Sequence, residues 1–155
     1  MKSCIISIVV ILGFSLMACG YDPDFITHYH LHVFDETGFA TIGEVDCVTG
    51  QALAIYKRGH NAIRGMQVFF LSDSIGMENQ ENVGEFQAGS IPRIRVIWER
   101  GNLYETAFIH ELAHAVMVLV YETHDPRHTD QTWWGVPDGL VNRAMIRASH
   151  ECIYH

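Results

Sequence analysis

Residues 103–121, LYETAFIHELAHAVMVLVY, form the long and largely apolar stretch that decides the fold of this chain. Apolar side chains run nearly all round a helical wheel of this stretch, which predicts a buried α-helix. Three ionisable side chains lie inside its apolar part: His110, Glu111 and His114. Burying such groups costs free energy unless they have partners, so the pattern indicates a specific role for all three.

The two histidines are spaced to bind one metal ion. On a helix, His110 and His114 lie one turn apart on the same face, so both imidazoles can bind one Zn²⁺ at roughly 2.0 to 2.1 Å. Glu111 lies beside them, where its carboxylate can take a proton from a metal-activated water molecule. The spacing therefore predicts a zinc site with two histidine ligands and a general base. The alternative interpretation is a buried helix whose histidines have ordinary structural partners.

The pentapeptide 110–114, HELAH, resembles the H-E-x-x-H signature of the zincin metallopeptidases. The resemblance is specific over these five residues and plausible over 103–128, as an active-site helix with its return loop. It implies zinc-dependent hydrolysis of peptide bonds with Glu111 as general base. It also implies an α+β fold, in which a mixed sheet packs on the central H-E-x-x-H helix of a small zincin-like domain that ends in a C-terminal helix.

A catalytic zinc ion needs a third protein ligand, and the candidates follow the helix. In residues 124–128, HDPRH, Pro126 disfavours helix at the preceding residue and predicts a turn. We predict His128 as the ligand, because its distance from the motif leaves several loop residues in which the chain can fold back. His124 and Asp125 are the alternatives, and Asp125 can instead orient an imidazole. The remaining candidates are Glu122 and Asp130.

The zincin subclass stays unassigned. A metzincin would have glycine and histidine where this chain has Met117 and Val120, so that pattern is excluded. A gluzincin would take a glutamate from a following helix, where only Glu151 is on offer, and no GTxD element of an aspzincin precedes Asp125 or Asp130. Zincins often stabilise an oxyanion with Tyr, His or Arg. The residues of these types near the motif or the C-terminus are Tyr121, Arg127, His150 and Tyr154.

Residues 1–18 resemble the signal peptide of a bacterial lipoprotein. Lys2 gives a positive start, an apolar run follows, and residues 16–19, LMAC, are similar to a lipobox. Cleavage before Cys19 would make this cysteine the lipid-bearing first residue. The alternatives are an uncleaved anchor, short for about 30 Å of hydrocarbon, and an ordinary signal cut before Cys19. By the same resemblance, Gly20 favours the outer membrane, with the domain on its periplasmic side or at the cell surface.

Residues 19–155 have the length of a single domain with a core of its own. Loss of Lys2 with the leader makes the net charge one unit more negative than the −8 of the full chain, which disfavours a nucleic-acid partner. Cys47 and Cys152 are the cysteines that remain. In an oxidising compartment they predict a disulfide worth several kcal/mol. Two unpaired cysteines and a metal-binding pair are the alternatives.

The periodicity of the remaining sequence predicts an α+β domain. Residues 72–90 are polar and aperiodic, which predicts a long loop. Asp138 is expected to cap a last helix over 139–149. Trp133 and Trp134 are expected to pack in the core or under a loop rather than line a cleft. The predicted strands are 27–34, 66–71 and 94–98, and a weaker pattern indicates a short helix over 49–58.

His28, His30 and His32 alternate along the first predicted strand and would project from one face of it. Neighbours on such a face are about 6.6 to 7 Å apart, which suits a shared metal ion poorly and favours a solvated surface. If this ladder did bind metal, the chain would be a lipid-anchored metal-capturing protein without catalysis. An envelope interaction protein, in which Glu111 is structural, is a further non-enzymatic alternative.

Overall fold

The fold is α+β, with one open five-stranded mixed sheet and four helices. The structure is a computed structural model, and it describes residues 22–73, 82–97 and 103–152, with the side chains of 103–106 left out. None of the described helices is both long enough and apolar enough to span a membrane. The strands are β1 (Phe25–Ile26), β2 (His32–Asp35), β3 (Gln67–Leu71), β4 (Gly84–Gln87) and β5 (Arg93–Ile97). The helices are α1 (Ile42–Tyr56), α2 (Leu103–Tyr121), α3 (Gln131–Trp134) and α4 (Leu140–Glu151).

The sheet has the strand order β1-β2-β3-β5-β4. Its three central strands run parallel, and both edge strands are antiparallel to their neighbours. Alternate residues of β3 and β5 are fully buried, so one face of the sheet forms the floor of the core, as at Val68 and Phe70 on β3 and Ile94 and Val96 on β5. Among the described strands, β4 lies at an edge of the sheet and pairs with β5 alone.

The helix α2 packs on the sheet beside β4 and β5 and also contacts α1 and α4. Its buried positions include Phe108, Ile109, Leu112 and Val116, which confirms that the predicted stretch is a core helix. The Tyr56 hydroxyl at the end of α1 donates a hydrogen bond to the Ile109 carbonyl oxygen at 3.0 Å. Packing on several sides holds α2 firmly, so side chains on its remaining face have a rigid base.

The first helix is longer than the predicted 49–58 and begins seven residues earlier. Thr41 and Glu44 form a capping box, in which the Thr41 hydroxyl accepts from Glu44 N–H and the Glu44 side chain accepts from Thr41 N–H. The last residue of the helix is Tyr56, and its C-cap residue Lys57 adopts a left-handed conformation with φ of 62°. The capping box was visible in the sequence, and it marks the start of the helix better than the apolar pattern does.

The predicted strand over 27–34 is wrong in its first half. The chain makes a tight turn there, closed by a hydrogen bond from His30 N–H to the Thr27 carbonyl oxygen at 2.9 Å, with φ of 59° at His30. His32 lies on β2, whereas His28 and His30 lie in the turn. The alternation of polar and apolar residues matched a strand, but a turn with a left-handed residue interrupts the ladder and removes the histidine face.

The structure corrects two further predictions, the loop over 72–90 and the helix cap at Asp138. The predicted loop 72–90 contains the strand β4, while residues 74–81 lie outside the described residues. The last helix begins at Leu140, and its N-cap is Gly139 with no side-chain hydrogen bond, so Asp138 does not cap it. The predicted disulfide between Cys47 and Cys152 is confirmed, and it joins α1 to the end of α4.

Candidate metal centre

Two histidines of α2 face one cavity, as their spacing predicts. His110 and His114 have ring centroids 5.0 Å apart and are half-buried, whereas Glu111 between them is buried. The cavity lies between α2, the edge strand β4 and the segment after α2, and has a volume of about 540 Å³. Its lining residues are Asn82, Val83, Gly84, Glu85, Phe86, Ala107, His110, Glu111, His114, His124, Pro126, His128 and Met145.

His128 returns from the following loop to meet the two helix histidines. The His128 N–H donates to the Asp125 carbonyl oxygen at 3.2 Å, and His128 takes a left-handed conformation with φ of 55°. Its Nε2 lies 3.1 Å from His114 Nε2, and its ring centroid is 4.7 Å from that of His110. One ring nitrogen from each of the three residues lies within 4.8 Å of the others. The three histidines are thus close enough to bind a single metal ion.

The donor set suits a metal that prefers nitrogen ligands. Nitrogen atoms on one tetrahedral Zn²⁺ at roughly 2.0 to 2.1 Å are separated by about 3.3 Å, close to the 3.1 Å between His114 Nε2 and His128 Nε2. Burial is the main cause that lowers the pKa of His110 to about 4, and His128 adds to it. Burial likewise lowers the pKa of His114 to about 4. At neutral pH both rings are uncharged, the form in which imidazole binds metals.

Asp125 organises the return loop and makes no hydrogen bond to an imidazole of the described residues. Its carboxylate accepts hydrogen bonds from the Thr129 hydroxyl at 3.1 Å and from Asp130 N–H at 2.7 Å. The backbone N–H groups of Asp130 and Thr129 lower the pKa of Asp125 to about 2. His124 lines the cavity, but the group of three close ligand atoms does not include it. Asp130 caps α3 by accepting from Thr132 N–H at 2.8 Å.

Glu111 is held against the edge strand. Its carboxyl group lies beside Gly84, and the backbone N–H of Phe86 donates a hydrogen bond to it. Burial is the main cause that raises the pKa of Glu111 to about 7; the nearby Glu85 carboxylate also raises it, and the Phe86 hydrogen bond opposes both. A carboxyl group with this pKa can accept and release a proton near neutral pH. Glu111 thus has the acid–base properties expected of a general base.

The contribution of β4 to the site was missed from the sequence. Gly84, Glu85 and Phe86 all line the cavity, and Glu85 is itself fixed by an ion pair with Arg95 at 3.0 Å. The run 83–86, VGEF, is short and contains a glycine, so its sequence resembles a loop more than a strand. Its pairing with β5 depends on a neighbour that local periodicity does not report.

The two adjacent tryptophans have different surroundings. Trp133 is buried in the core, with its ring 5.3 Å from Tyr56 and 5.7 Å from Tyr121 between centroids. Trp134 instead packs against all three imidazoles of the cluster. The expectation that the pair packs in the core or under a loop fits Trp133, which lies in the core. Contact between Trp134 and the site could not be inferred from the sequence.

Three of the four suggested oxyanion-stabilising residues lie in the described part of the chain, and none of the three lines the cavity. Tyr121 donates its hydroxyl hydrogen to the Tyr56 carbonyl oxygen at 3.2 Å. Neither Tyr121 nor Arg127 nor His150 lines the cavity, and Tyr154 lies outside the described residues. The lipidation candidate Cys19 and the leader 1–18 also lie outside them.

Among the side chains described in 22–73, 82–97 and 107–152, His110, His114 and His128 form the one group of three or more histidine, cysteine or acidic residues close enough to bind a metal ion. The ladder of His28, His30 and His32 therefore does not form a second such group there. Comparisons of this chain with protein-family models, with curated proteins and with solved structures found no match.

Proposed function

We propose that this protein is a zinc-dependent metallopeptidase that hydrolyses peptide bonds, with His110, His114 and His128 as zinc ligands and Glu111 as general base. The observation that carries the proposal is the convergence of three imidazoles and one buried carboxyl group on a single cavity. The imidazoles come from α2 and from the loop that follows it, so their meeting depends on how that loop folds back. The zincin-like H-E-x-x-H pentapeptide gives the same assignment for the helix residues.

Zinc is the metal that this donor set favours. Three imidazoles and an open cavity correspond to a catalytic site with three protein ligands and one position left for water or substrate. Zinc bound there would lower the pKa of a water molecule and polarise the carbonyl group of the substrate. No other described residue of the cavity lies in the ligand group, which leaves Glu111 available for acid–base chemistry.

Glu111 handles the proton in the proposed reaction. One of its carboxylate oxygens accepts a proton from the attacking water as the oxygen of that water bonds to the peptide carbonyl carbon. The same carboxyl group then delivers the proton to the leaving amine nitrogen as the C–N bond breaks. Burial and the Glu85 carboxylate, which raise the pKa of Glu111 to about 7, match both transfers. Contact with Gly84 and Phe86 holds the carboxyl group at one place in the cavity.

A peptide in extended conformation is the substrate class that fits beside β4. Among the described strands, β4 pairs with β5 alone, and residues 83–86, which include the start of β4, line the cavity. An extended chain can add to a strand edge through main-chain hydrogen bonds, independent of its side chains. The proposed substrate is therefore a peptide or a protein segment without regular structure.

The proposed location is the bacterial cell envelope, with the domain tethered through a lipid on Cys19 and the outer membrane favoured over the inner. The lipobox-like residues 16–19 and Gly20 support this location. The Cys47–Cys152 disulfide agrees with an oxidising compartment. The acidic net charge disfavours nucleic acid as a partner.

The proposal is tested by measuring metal and activity on the same samples. The chain is secreted to a bacterial periplasm, and zinc is determined by elemental analysis for the wild type, His114→Ala and Glu111→Gln. We expect about one zinc per chain in the wild type and in Glu111→Gln, and little in His114→Ala. Hydrolysis of a peptide library should fall by orders of magnitude in Glu111→Gln.

Two results would contradict the proposal. Wild-type protein without zinc, even after incubation with it, would leave the three histidines as a packing cluster. Zinc binding without hydrolysis of any library peptide would favour the non-catalytic, metal-capturing alternative, because metal capture needs the histidines and not Glu111.

A further inference from the structure

Trp134 contacts every histidine of the proposed metal centre. The centroid of its ring system lies 4.8 Å from that of His110, 4.7 Å from His114 and 4.1 Å from His128. The three interplanar angles are nearly equal, at 42°, 40° and 40°. One indole thus touches two imidazoles from α2 and one from the return loop, and Trp134 itself is not among the residues that line the cavity. The imidazoles border the cavity, and Trp134 supports them without lining it.

The local chain places Trp134 with little freedom. Trp134 is the last residue of α3. Asp130 is the N-cap of this helix, and Gly135 is its C-cap. A Cβ at Gly135 would clash with the backbone oxygen of Gln131, so glycine is required for this close turn. Asp130 is itself held by Asp125 through its N–H group. The same short segment therefore fixes the backbone near His128 and the indole packed on it.

These contacts are made by the aromatic ring of Trp134 and include no hydrogen bond from its N–H group. The indole Nε1 is buried and has no hydrogen-bond partner among the described residues. Burying an unpaired donor costs free energy, and packing of the ring must offset that cost. The contribution of Trp134 at this position therefore comes from the area and flatness of its ring.

We infer that Trp134 is a positioning residue. Its planar ring packs on all three imidazoles and sets their orientation for one zinc ion. Imidazole rings that rotate freely must be ordered when a metal binds, which weakens affinity. Groups that orient metal-ligating histidines typically do so by hydrogen bonds. Here an aromatic surface does it by packing on three rings at once. The inference rests on the proposed metal centre, and it does not depend on peptide hydrolysis.

The test compares zinc affinity and Co²⁺ absorption for substitutions at the two neighbouring tryptophans. Affinity is measured on the full chain by competition with a chromophoric chelator. Trp134→Ala should weaken zinc binding by roughly tenfold or more, the range seen when an orienting partner is lost. Trp134→Phe, which keeps an aromatic face and removes an unpaired donor, should stay within about threefold of wild type. The visible bands of bound Co²⁺ should weaken in Trp134→Ala, because loss of tetrahedral geometry reduces their intensity.

Trp133→Phe is the matched control, since its ring lies in the core against Tyr56 and Tyr121. It should lower the unfolding temperature while leaving the Co²⁺ spectrum and the zinc affinity unchanged. If Trp134→Ala fails to fold, Trp134→Leu replaces it, with the same expected loss. The inference would be overturned if the folded Trp134→Ala or Trp134→Leu variant kept the zinc affinity and the Co²⁺ spectrum of the wild type. It would also be overturned if Trp133→Phe lost as much zinc affinity as that variant. A wild type that binds zinc and hydrolyses nothing would overturn only the proposed enzymatic activity.

Discussion

Gly84 on β4 makes room for the carboxyl group of Glu111 on α2. A Cβ at Gly84 would lie 3.0 Å from Glu111 Cγ and 3.1 Å from its Oε1. These distances are shorter than ordinary carbon contacts, so any larger residue at Gly84 must displace the Glu111 side chain. The edge strand thereby determines where the proposed base lies relative to the three histidines.

Gly84→Ala should reduce hydrolysis while leaving the zinc content unchanged. The added methyl group pushes the Glu111 carboxyl group by a few tenths of an ångström, and misplacement of a catalytic group by about 1 Å can cost on the order of a hundredfold. For the smaller shift we expect a fall in kcat of about tenfold. Steady-state kinetics on a cleaved peptide, with zinc analysis of the same sample, measures both effects.

Gly43→Ala serves as the control for that substitution, because a Cβ at Gly43 would meet no atom within 4 Å. Gly43 lies in α1, where alanine favours helix more than glycine does. The Gly43→Ala variant should have the same hydrolytic activity as the wild type. Full activity in Gly84→Ala would show that the contact with Glu111 has no catalytic consequence.

His128→Ala and His124→Ala should separate the two candidate third ligands. Both histidines lie in the return loop and line the cavity, but only His128 belongs to the group of close ligand atoms. His128→Ala should weaken zinc binding by at least a hundredfold, because the metal loses a direct ligand. His124→Ala should change it less than threefold, on the scale set by loss of a group that does not bind the metal. Chelator competition measures both, and a reversed order would move the third ligand to His124.

Asp125→Asn should destabilise the metal-free protein at neutral pH, and the effect should vanish in acid. Backbone N–H groups lower the pKa of Asp125 to about 2 from its usual 3.8, so the folded state prefers the ionised carboxylate. This stabilisation is complete above pH about 4 and is lost as the pH falls through about 2. Urea unfolding in the presence of a chelator, from pH 7 down to 2, measures the difference between wild type and variant. A difference independent of pH would mean that the ionised form has no special role.

Removal of the Cys47–Cys152 disulfide should cost the domain much of its stability. The bond joins residues 105 apart in sequence, and closing a loop of about 100 residues is worth roughly 4 to 5 kcal/mol in the chain-entropy model. The double substitution Cys47→Ala and Cys152→Ala should lower the free energy of unfolding by about that amount. Urea unfolding of the oxidised wild type, the reduced wild type and the double variant gives the comparison. Equal stability of the oxidised and reduced forms would contradict the prediction.

The helix α2, its two histidines and the disulfide were predictable because each depends on local spacing or on a short list of partners. Histidines at positions i and i+4 of an apolar helical stretch have both imidazoles on one face of the helix, whatever surrounds it. With the leader and Cys19 set aside, Cys47 and Cys152 left a single pairing to consider. The choice of His128 relied on loop length and the turn at Pro126, and the structure brings this residue to the other two histidines.

Other parts of the fold escaped prediction because weak local signals were decided by distant neighbours. β4 is short and begins with glycine, and it becomes a strand by pairing with β5. The alternating residues near His30 matched a strand, but the chain turns there with a left-handed residue. The start of α1 depended on the Thr41–Glu44 capping box, which is a local signal that the apolar pattern obscured.

The sequence by itself determined that a core helix presents His110, Glu111 and His114 at one place, because helical geometry converts spacing into a shared face. The tertiary structure decided what surrounds them: Gly84 beside Glu111, His128 across from His114, and Trp134 against all three imidazoles. These contacts join residues from a strand, a helix and a loop that are far apart along the chain. Their meeting follows from long-range packing and strand pairing, which local periodicity does not encode.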